Sequence, residues 1–349
     1  MQQVYSDINQ FRGSHYDFGY YQGTLLKNLP ILPNRKKQWA AKKQRHFIID
    51  DNKIKERLFQ FAPGIWDELH GLKDALQMNI NEAIQDFGGY YLEYGRSGCS
   101  IYTNTDYMVR NYDNAPSTYE GRYLLYQPTD YGYAALGPTM QITGRTDGMN
   151  EHGLAMGYNF INRKQSADGF LCNMIGRIIL ETCKNVEEAV ALLREIPHRH
   201  SFSYALLDKN GMSKVVEASP RDVVVHNASI CTNHFQHLSK ENRFRMDDSL
   251  RRYDAIESQS THIHTPYQGF QMFNQSNNGI FSTKYGSWAG TLHTALYLPK
   301  SKLAWFALGG NREPLLFDFN RWLQGKDTNM KQVKGELHSL EVFANMKLF

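Results

Sequence analysis

Apolar residues recur at helical spacing through much of the first 98 residues and at the alternating spacing of strands after that. The helical period predicts helices over 16–27, 54–76 and 80–92, the last opened by Asn79, with 35–46 a basic, exposed stretch on a solvated helix face. From residue 99 the chain turns to short runs rich in Tyr, Val, Thr and Ile, which predict antiparallel strands over 100–102, 108–112, 122–126, 140–144 and 154–160. Helices follow over 169–183 and 186–195. The second has Asn185 and Glu188 as a capping pair and Val186, Ala189, Val190, Leu193 and Ile196 along one face. A hairpin over 202–207 and 213–217 turns at Asp208-Lys209-Asn210-Gly211, and strands continue through 223–226 and 230–232. A charged helix over 242–256 precedes a last strand pair, 291–298 and 303–308. Strands, helices, then strands predict an α+β layered domain in which helices cover antiparallel sheets. With no internal repeat and its 11 prolines dispersed, the chain reads as a single domain over 1–349.

A chain of 349 residues, 41% apolar and 21% charged, buries a substantial core. Its net charge of +4 is spread along the sequence without a long Lys/Arg run, which argues against a nucleic-acid partner. The start, Met1-Gln2-Gln3-Val4-Tyr5, has neither the basic nor the apolar region of an export signal, and no apolar run approaches a membrane span, so the expectation is a cytoplasmic protein. Cys99, Cys172, Cys183 and Cys231 match no metal knuckle and no disulfide framework, so free thiols are expected, with no metal and no organic cofactor.

One of those thiols stands in reactive company. An amide is a hard electrophile, and opening one requires a nucleophile, a base, a group to orient the base, and donors aimed at the developing oxyanion. Ser97-Gly98-Cys99-Ser100 suits a cysteine that becomes the first residue of a chain, because its own α-amine then serves as base. Gly98 lets the thiol approach its carbonyl at low steric cost. Attack there, acyl shift to sulfur and hydrolysis would cut the Gly98-Cys99 bond. Downstream, Arg110-Asn111-Tyr112-Asp113 offers a carboxylate for the amine and a guanidinium for the sulfur, provided the strand bends, since residues three apart face opposite ways. The same residues also fit a surface ion pair. Asp147-Gly148-Met149-Asn150-Glu151-His152-Gly153-Leu154 is a polar turn leading to Asn159, and Cys231-Thr232-Asn233-His234 sets another asparagine at a strand end. Strand-end asparagines are also common turn formers.

In this order the motifs resemble the acyl-coenzyme A:6-aminopenicillanic acid acyltransferase family of N-terminal-nucleophile hydrolases and, more distantly, bile salt hydrolases and penicillin V acylases. Gly98-Cys99 resembles the processing site, Arg110-Asn111-Tyr112-Asp113 the R-N-x-D motif, Met149-Asn150-Glu151-His152-Gly153-Leu154 the M-N-E-x-G-L turn and Thr232-Asn233-His234-Phe235 the T-N-H-F motif. Arg12-Gly13-Ser14-His15-Tyr16-Asp17-Phe18-Gly19 with Gln22-Gly23 is similar to the acyltransferase pro-region. The resemblance implies a four-layer αββα sandwich cut into residues 1–98, mainly helical, and a catalytic 99–349. It implies Cys99 as nucleophile, Asp113 orienting its amine, Arg110 beside the thiolate, Asn233 with the Asn159 region as oxyanion hole, and a helical arginine, Arg252 or Arg251. The family's functional serine has no counterpart in Thr291-Leu292-His293-Thr294, and the short spacing from Cys99 to Arg110 argues against a steroid-sized pocket.

The implied activity is hydrolysis of a linear amide, or transfer of its acyl group, on a small-molecule substrate. Self-association into a homo-oligomer is compatible with it. Two readings compete: a Cys-His enzyme using His234 or His293 without self-cleavage, and a non-cleaving binding protein or dormant precursor with an aromatic pocket.

Overall fold

A computed structural model of the chain describes residues 1–41, 50–90, 98–161, 166–242, 246–287 and 289–346. The first element is a strand, β1 (Gln2–Gly13), where no strand was expected. Its polar Gln, Asp and Asn residues hide the alternation. Neighbours on both sides supply the pairing instead: β1 runs parallel to β4 (Arg122–Pro128) and antiparallel to β16 (Gln332–Leu337).

Among the described residues five helices follow: α1 (His15–Leu26), α2 (Ile31–Ala41), α3 (Asp51–Phe61), α4 (Pro63–Leu76) and α5 (Ile80–Phe87). The single helix expected over 54–76 is broken at Ala62, because Pro63 lacks an N–H and starts a new helix at its first position. Asn79 and Glu82 close a full capping box on α5. Residues 91–92, expected to continue that helix, and 42–46 of the basic stretch lie outside the described residues. Arg35, expected exposed, is buried 3.8 Å from Glu120.

The remaining strands are β2 (Ser100–Thr103), β3 (Met108–Asn114), β5 (Ala135–Met140), β6 (Gly144–Arg145), β7 (Asp147–Asn150), β8 (Ala155–Phe160), β9 (Phe202–Leu207), β10 (Ser213–Ala218), β11 (Val223–His226), β12 (Ile230–Cys231), β13 (Gly290–Leu298), β14 (Leu303–Leu308) and β15 (Leu315–Asp318). The strand expected over 140–144 is broken by a turn at 141–143 between β5 and β6: Gln141 and Ile142 are left-handed, and the Ile142 N–H is held by the Glu120 carboxylate. The later helices are α6 (Cys172–Thr182), α7 (Val186–Glu195), α8 (Asp247–Ser260), α9 (Pro266–Asn274) and α10 (Phe319–Leu323). The charged helix expected over 242–256 is α8, shifted toward the C-terminus; residues 243–245 lie outside the described set.

Among the described residues the strands form two sheets. One runs β11-β10-β9-β8-β7-β5-β4-β1-β16, with β6 on β5; the other runs β12-β2-β3-β13-β14-β15. Three apolar clusters set the layers. Met156, Tyr158, Phe160 and Leu206 pack outward against Ile175, Ile178, Ile179 and Leu193 of α6 and α7. Ile101, Met108, Tyr112, Leu125, Leu136, Ala155 and Leu207 fill the space between the sheets. Val109 and Leu296 face Ile256, Phe270 and Phe273 of α8 and α9. The order helix, sheet, sheet, helix is the expected αββα sandwich. Strand alternation then puts Arg110 of β3 and Gly157 and Asn159 of β8 on the inter-sheet faces.

Candidate active site

Cys99 sits directly before β2, fully buried. Its Sγ receives the Arg110 Nη2 at 3.6 Å and the Asp113 backbone N–H at 3.4 Å. Its own backbone N–H donates to Asn233 Oδ1 at 2.7 Å. Its carbonyl accepts from Arg252 Nη1 at 2.5 Å, which also donates to Ser100 Oγ at 2.8 Å. Cys99 is therefore gripped on sulfur, nitrogen and its own carbonyl by the residues singled out from sequence. Ser97 lies outside the described residues.

The facing of Arg110 and Asp113 is resolved by an irregularity. Thr291 pairs with Asp113 and His293 with Tyr112, so Leu292 is an extra residue on β13 at the end of β3. Arg110 reaches the sulfur with its side chain, Asp113 with its main chain, and the Asp113 carboxylate turns to the Thr291 hydroxyl, which donates to Oδ1 at 2.7 Å. Asp113 Oδ2 is buried with no hydrogen-bond partner among the described residues. Burial pushes the Asp113 carboxyl up to about 7, against the pull of nearby Arg252 and the Thr291 hydroxyl. Thr291 thus stands on the carboxylate in the region where the family's serine was missed.

Arg110 crosses from one sheet to the other. Its Nη1 donates to the Thr146 carbonyl and to Asp147 Oδ1, the latter at 2.8 Å; its Nη2 donates to the Tyr158 carbonyl at 2.6 Å. The rings of Tyr112 and Tyr158 flank it, 4.9 and 5.0 Å from the guanidinium carbon. Gly157 makes room: a Cβ there would lie 3.0 Å from Ile101 Cδ1 and 3.3 Å from Arg110 Cδ. Burial works against the guanidinium charge, but Asp147 and the Cys99 sulfur outweigh it and hold the group charged. Neither the surface ion pair considered for this motif nor exposure of either residue is found.

Asn233 is fixed from both sides. Its backbone N–H donates to Ser249 Oγ at 2.7 Å, its Nδ2 to the Phe160 carbonyl at 2.7 Å, and its Oδ1 also accepts from Arg252 Nη2 at 2.8 Å. Ser249 and Arg252, three apart on α8, share the face that meets this loop. Arg252 is buried, whereas Arg251 points to solvent and holds the Gly279 carbonyl, which decides between the two arginines as neighbours of Cys99. Asn159 is buried nearby but directs its Nδ2 to the Cys231 carbonyl at 2.7 Å, while its Oδ1 has no partner among the described residues.

Two motif asparagines are structural. Asn111 donates to the Phe273 carbonyl at 2.7 Å and accepts from the Thr294 hydroxyl, tying α9 to the sheet. Asn150 donates to the Leu180 and Cys183 carbonyls and accepts from the His152 and Leu154 N–H groups, clamping its turn onto α6. His234 turns Nδ1 to Ser249 and Thr232, and His293 its Nε2 to Asp147. Sequence reasoning weighed His293 only as an alternative base, gave Asp147 and Thr291 no role, and passed over Tyr297. Only Asp147 carried a signal, as the first residue of the polar turn.

A sequence model of the acyl-coenzyme A:6-aminopenicillanic acid acyl-transferase family matches residues 102–313, more than half of the chain and a span that includes Arg110, Asp113, Asn159, Asn233 and Arg252. Against curated proteins the sequence finds no match. Among solved structures, a penicillin V acylase from Agrobacterium tumefaciens is similar at 16% identity and a TM-score of 0.44, over 64% of this chain and 86% of that one. A mutant conjugated bile acid hydrolase from Clostridium perfringens is similar at 16% identity and a TM-score of 0.46, over 65% and 93%. An ortholog of N-acylethanolamine-hydrolyzing acid amidase from Caenorhabditis elegans is similar at 12% identity and a TM-score of 0.39, over 58% and 93%. By the family match, the chain belongs to the acyl-coenzyme A:6-aminopenicillanic acid acyl-transferase family.

Proposed function

We propose that this protein cuts its own Gly98-Cys99 bond and then hydrolyses, or transfers the acyl group of, a small linear amide through a thioester on Cys99. Family membership supports amide hydrolysis or acyl transfer as the kind of activity. The observation that carries the finer reading is the convergence of Arg110, Asp113, Asn233 and Arg252 on the sulfur, nitrogen and carbonyl of Cys99.

In the first step the Cys99 sulfur attacks the Gly98 carbonyl carbon. The carbon–nitrogen bond breaks, the nitrogen takes up a proton as the new α-amine, and Gly98 is left as a thioester that water hydrolyses to a carboxylate and a free thiol. In turnover the α-amine accepts the thiol proton, the sulfur attacks the substrate amide, and the leaving amine departs protonated. Water or an added amine then takes the acyl group. Asn233 Oδ1, already on the Cys99 nitrogen, holds the amine, with Asp113 beside it. The oxyanion would be met by the side-chain amides of Asn233 and Asn159, turned from the Phe160 and Cys231 carbonyls they hold here.

Residues 1–98 stay as the partner of 99–349 in this reading. The Glu68 carboxylate meets Arg177 Nη2 at 2.9 Å, and His15 meets Asp130 at 2.7 Å and Glu181 at 3.3 Å, all across the proposed cut. None of the four cysteines forms a disulfide, and no described helix is long and apolar enough to cross a membrane.

The test is to incubate matured protein with penicillin V, a glycine-conjugated bile acid and an N-acylethanolamine, with and without an added primary amine. Free acid, or a new amide when the amine is present, is expected from one or more and is lost in Cys99→Ala. Cleaved protein that transforms no simple N-acyl amide would overturn the reading.

A further inference from the structure

Asp147 is fully buried between the sheets, and every donor around it bears on how Arg110 is held. Its Oδ1 takes Arg110 Nη1 at 2.8 Å, the Thr146 hydroxyl at 2.7 Å and His293 Nε2 at 3.2 Å. Its Oδ2 takes the Tyr297 hydroxyl at 2.6 Å. His293 and Tyr297 both come from β13, the strand whose irregular start also brings Thr291 to Asp113. Four donors from three directions on its two oxygens hold the carboxylate against rotation, so the guanidinium it faces is held in angle as well as in charge.

We propose that Asp147, His293 and Tyr297 are positioning residues that aim the Arg110 guanidinium at the Cys99 sulfur, with His293 acting on the reaction through Asp147. This rests on the proposed role of Cys99. His293 lies between the Tyr112 ring, stacked at 5.1 Å, and the Phe306 ring at 4.9 Å. Its Nδ1 is buried without a hydrogen-bond partner among the described residues. An apolar side chain would fill that slot without leaving an acceptor unmet, so packing alone does not account for an imidazole there. What the imidazole adds is one N–H aimed at Asp147. Burial holds the ring neutral at neutral pH despite Asp147, and the Nε2–H tautomer is the one that donates. The groups facing it are Asp147 from β7, Arg110 and Tyr112 from β3, and Phe306 from β14.

The experiment follows self-cleavage by intact mass over time in the parent, His293→Leu, His293→Gln and Tyr297→Phe, with thermal unfolding as the check on folding. His293→Leu is expected to cut between about tenfold and a hundredfold more slowly, and His293→Gln, which keeps a donor, to recover most of the rate. Tyr297→Phe, which barely changes volume, is expected to slow cleavage several-fold and serves if His293→Leu does not fold. In matured protein, the pH midpoint for alkylation of Cys99 by iodoacetamide, read on its own peptide, rises in His293→Leu and stays at the parental value in His293→Gln. Parent that never cuts overturns the role of Cys99 and this inference with it. Parent that cuts while folded His293→Leu and Tyr297→Phe cut at the parental rate overturns this inference alone.

Discussion

The Asn233 side-chain oxygen lies 2.7 Å from the backbone nitrogen of Cys99, so the atom that would become the catalytic amine is already held while it is still an amide. The same oxygen takes Arg252 Nη2. Replacing Asn233 with Leu leaves a buried N–H and a guanidinium short of a partner, at about 1–3 kcal/mol for the unmet group. Self-cleavage of Asn233→Leu, followed by intact mass, should slow at least tenfold; Asn233→Asp, which keeps the oxygen, should retain more of the rate.

Arg252 and Arg251 are adjacent and separable. The Arg252 side chain is 2% exposed and that of Arg251 49%. Arg252→Ala strips the Cys99 carbonyl and Asn233 of a buried donor and should lose cleavage, with stability lowered by about 1–3 kcal/mol for the acceptors left unmet. Arg251→Ala should change urea stability by no more than about 0.5 kcal/mol and leave cleavage at the parental rate.

Asp113 should make the uncut protein less stable as pH rises. Its carboxyl is raised from 3.8 to about 7, so the folded state binds a proton that the unfolded state has released. Its stabilising protonation is therefore complete below 3.8 and is lost as pH passes through 7. In a Cys99→Ala background, Asp113→Asn should match its parent near pH 4 and exceed it near pH 8, by at most about 4 kcal/mol. Urea midpoints across that range read the effect.

His15 is also raised, but by a carboxylate that favours its charged form rather than by burial. Burial would lower it, but Glu181 outweighs burial and raises it from 6.5 to about 9. The folded state prefers the cation, so this contribution is full below 6.5 and is lost as pH rises through 9. His15→Gln should lower stability by about 3 kcal/mol near pH 6 and by much less near pH 10. The two fragments of matured protein should also part more readily as pH rises across that window.

The sequence was most legible where local chemistry and position coincide. Gly98-Cys99 and Asn233 flank strand ends and the R-N-x-D motif lies within β3, and a few residues of sequence are enough to place each. The cap Asn79 and the capping pair Asn185 and Glu188 were equally plain. Strand β1 was not, because its two pairing partners lie more than a hundred residues away and its own pattern is polar. Arg35 misled for a related reason: the carboxylate that accompanies its burial, Glu120, is remote in sequence. Asp147, His293 and Tyr297 meet only when the two sheets close on each other, and no spacing along one strand announces that meeting.

The central claim is tested most directly by the intact mass of the purified protein under denaturing conditions, beside Cys99→Ala. Two species parted between Gly98 and Cys99 in the parent, with one full-length species in the variant, are the expected result. A single full-length species in both would contradict the account, because no free α-amine would exist to serve as the base.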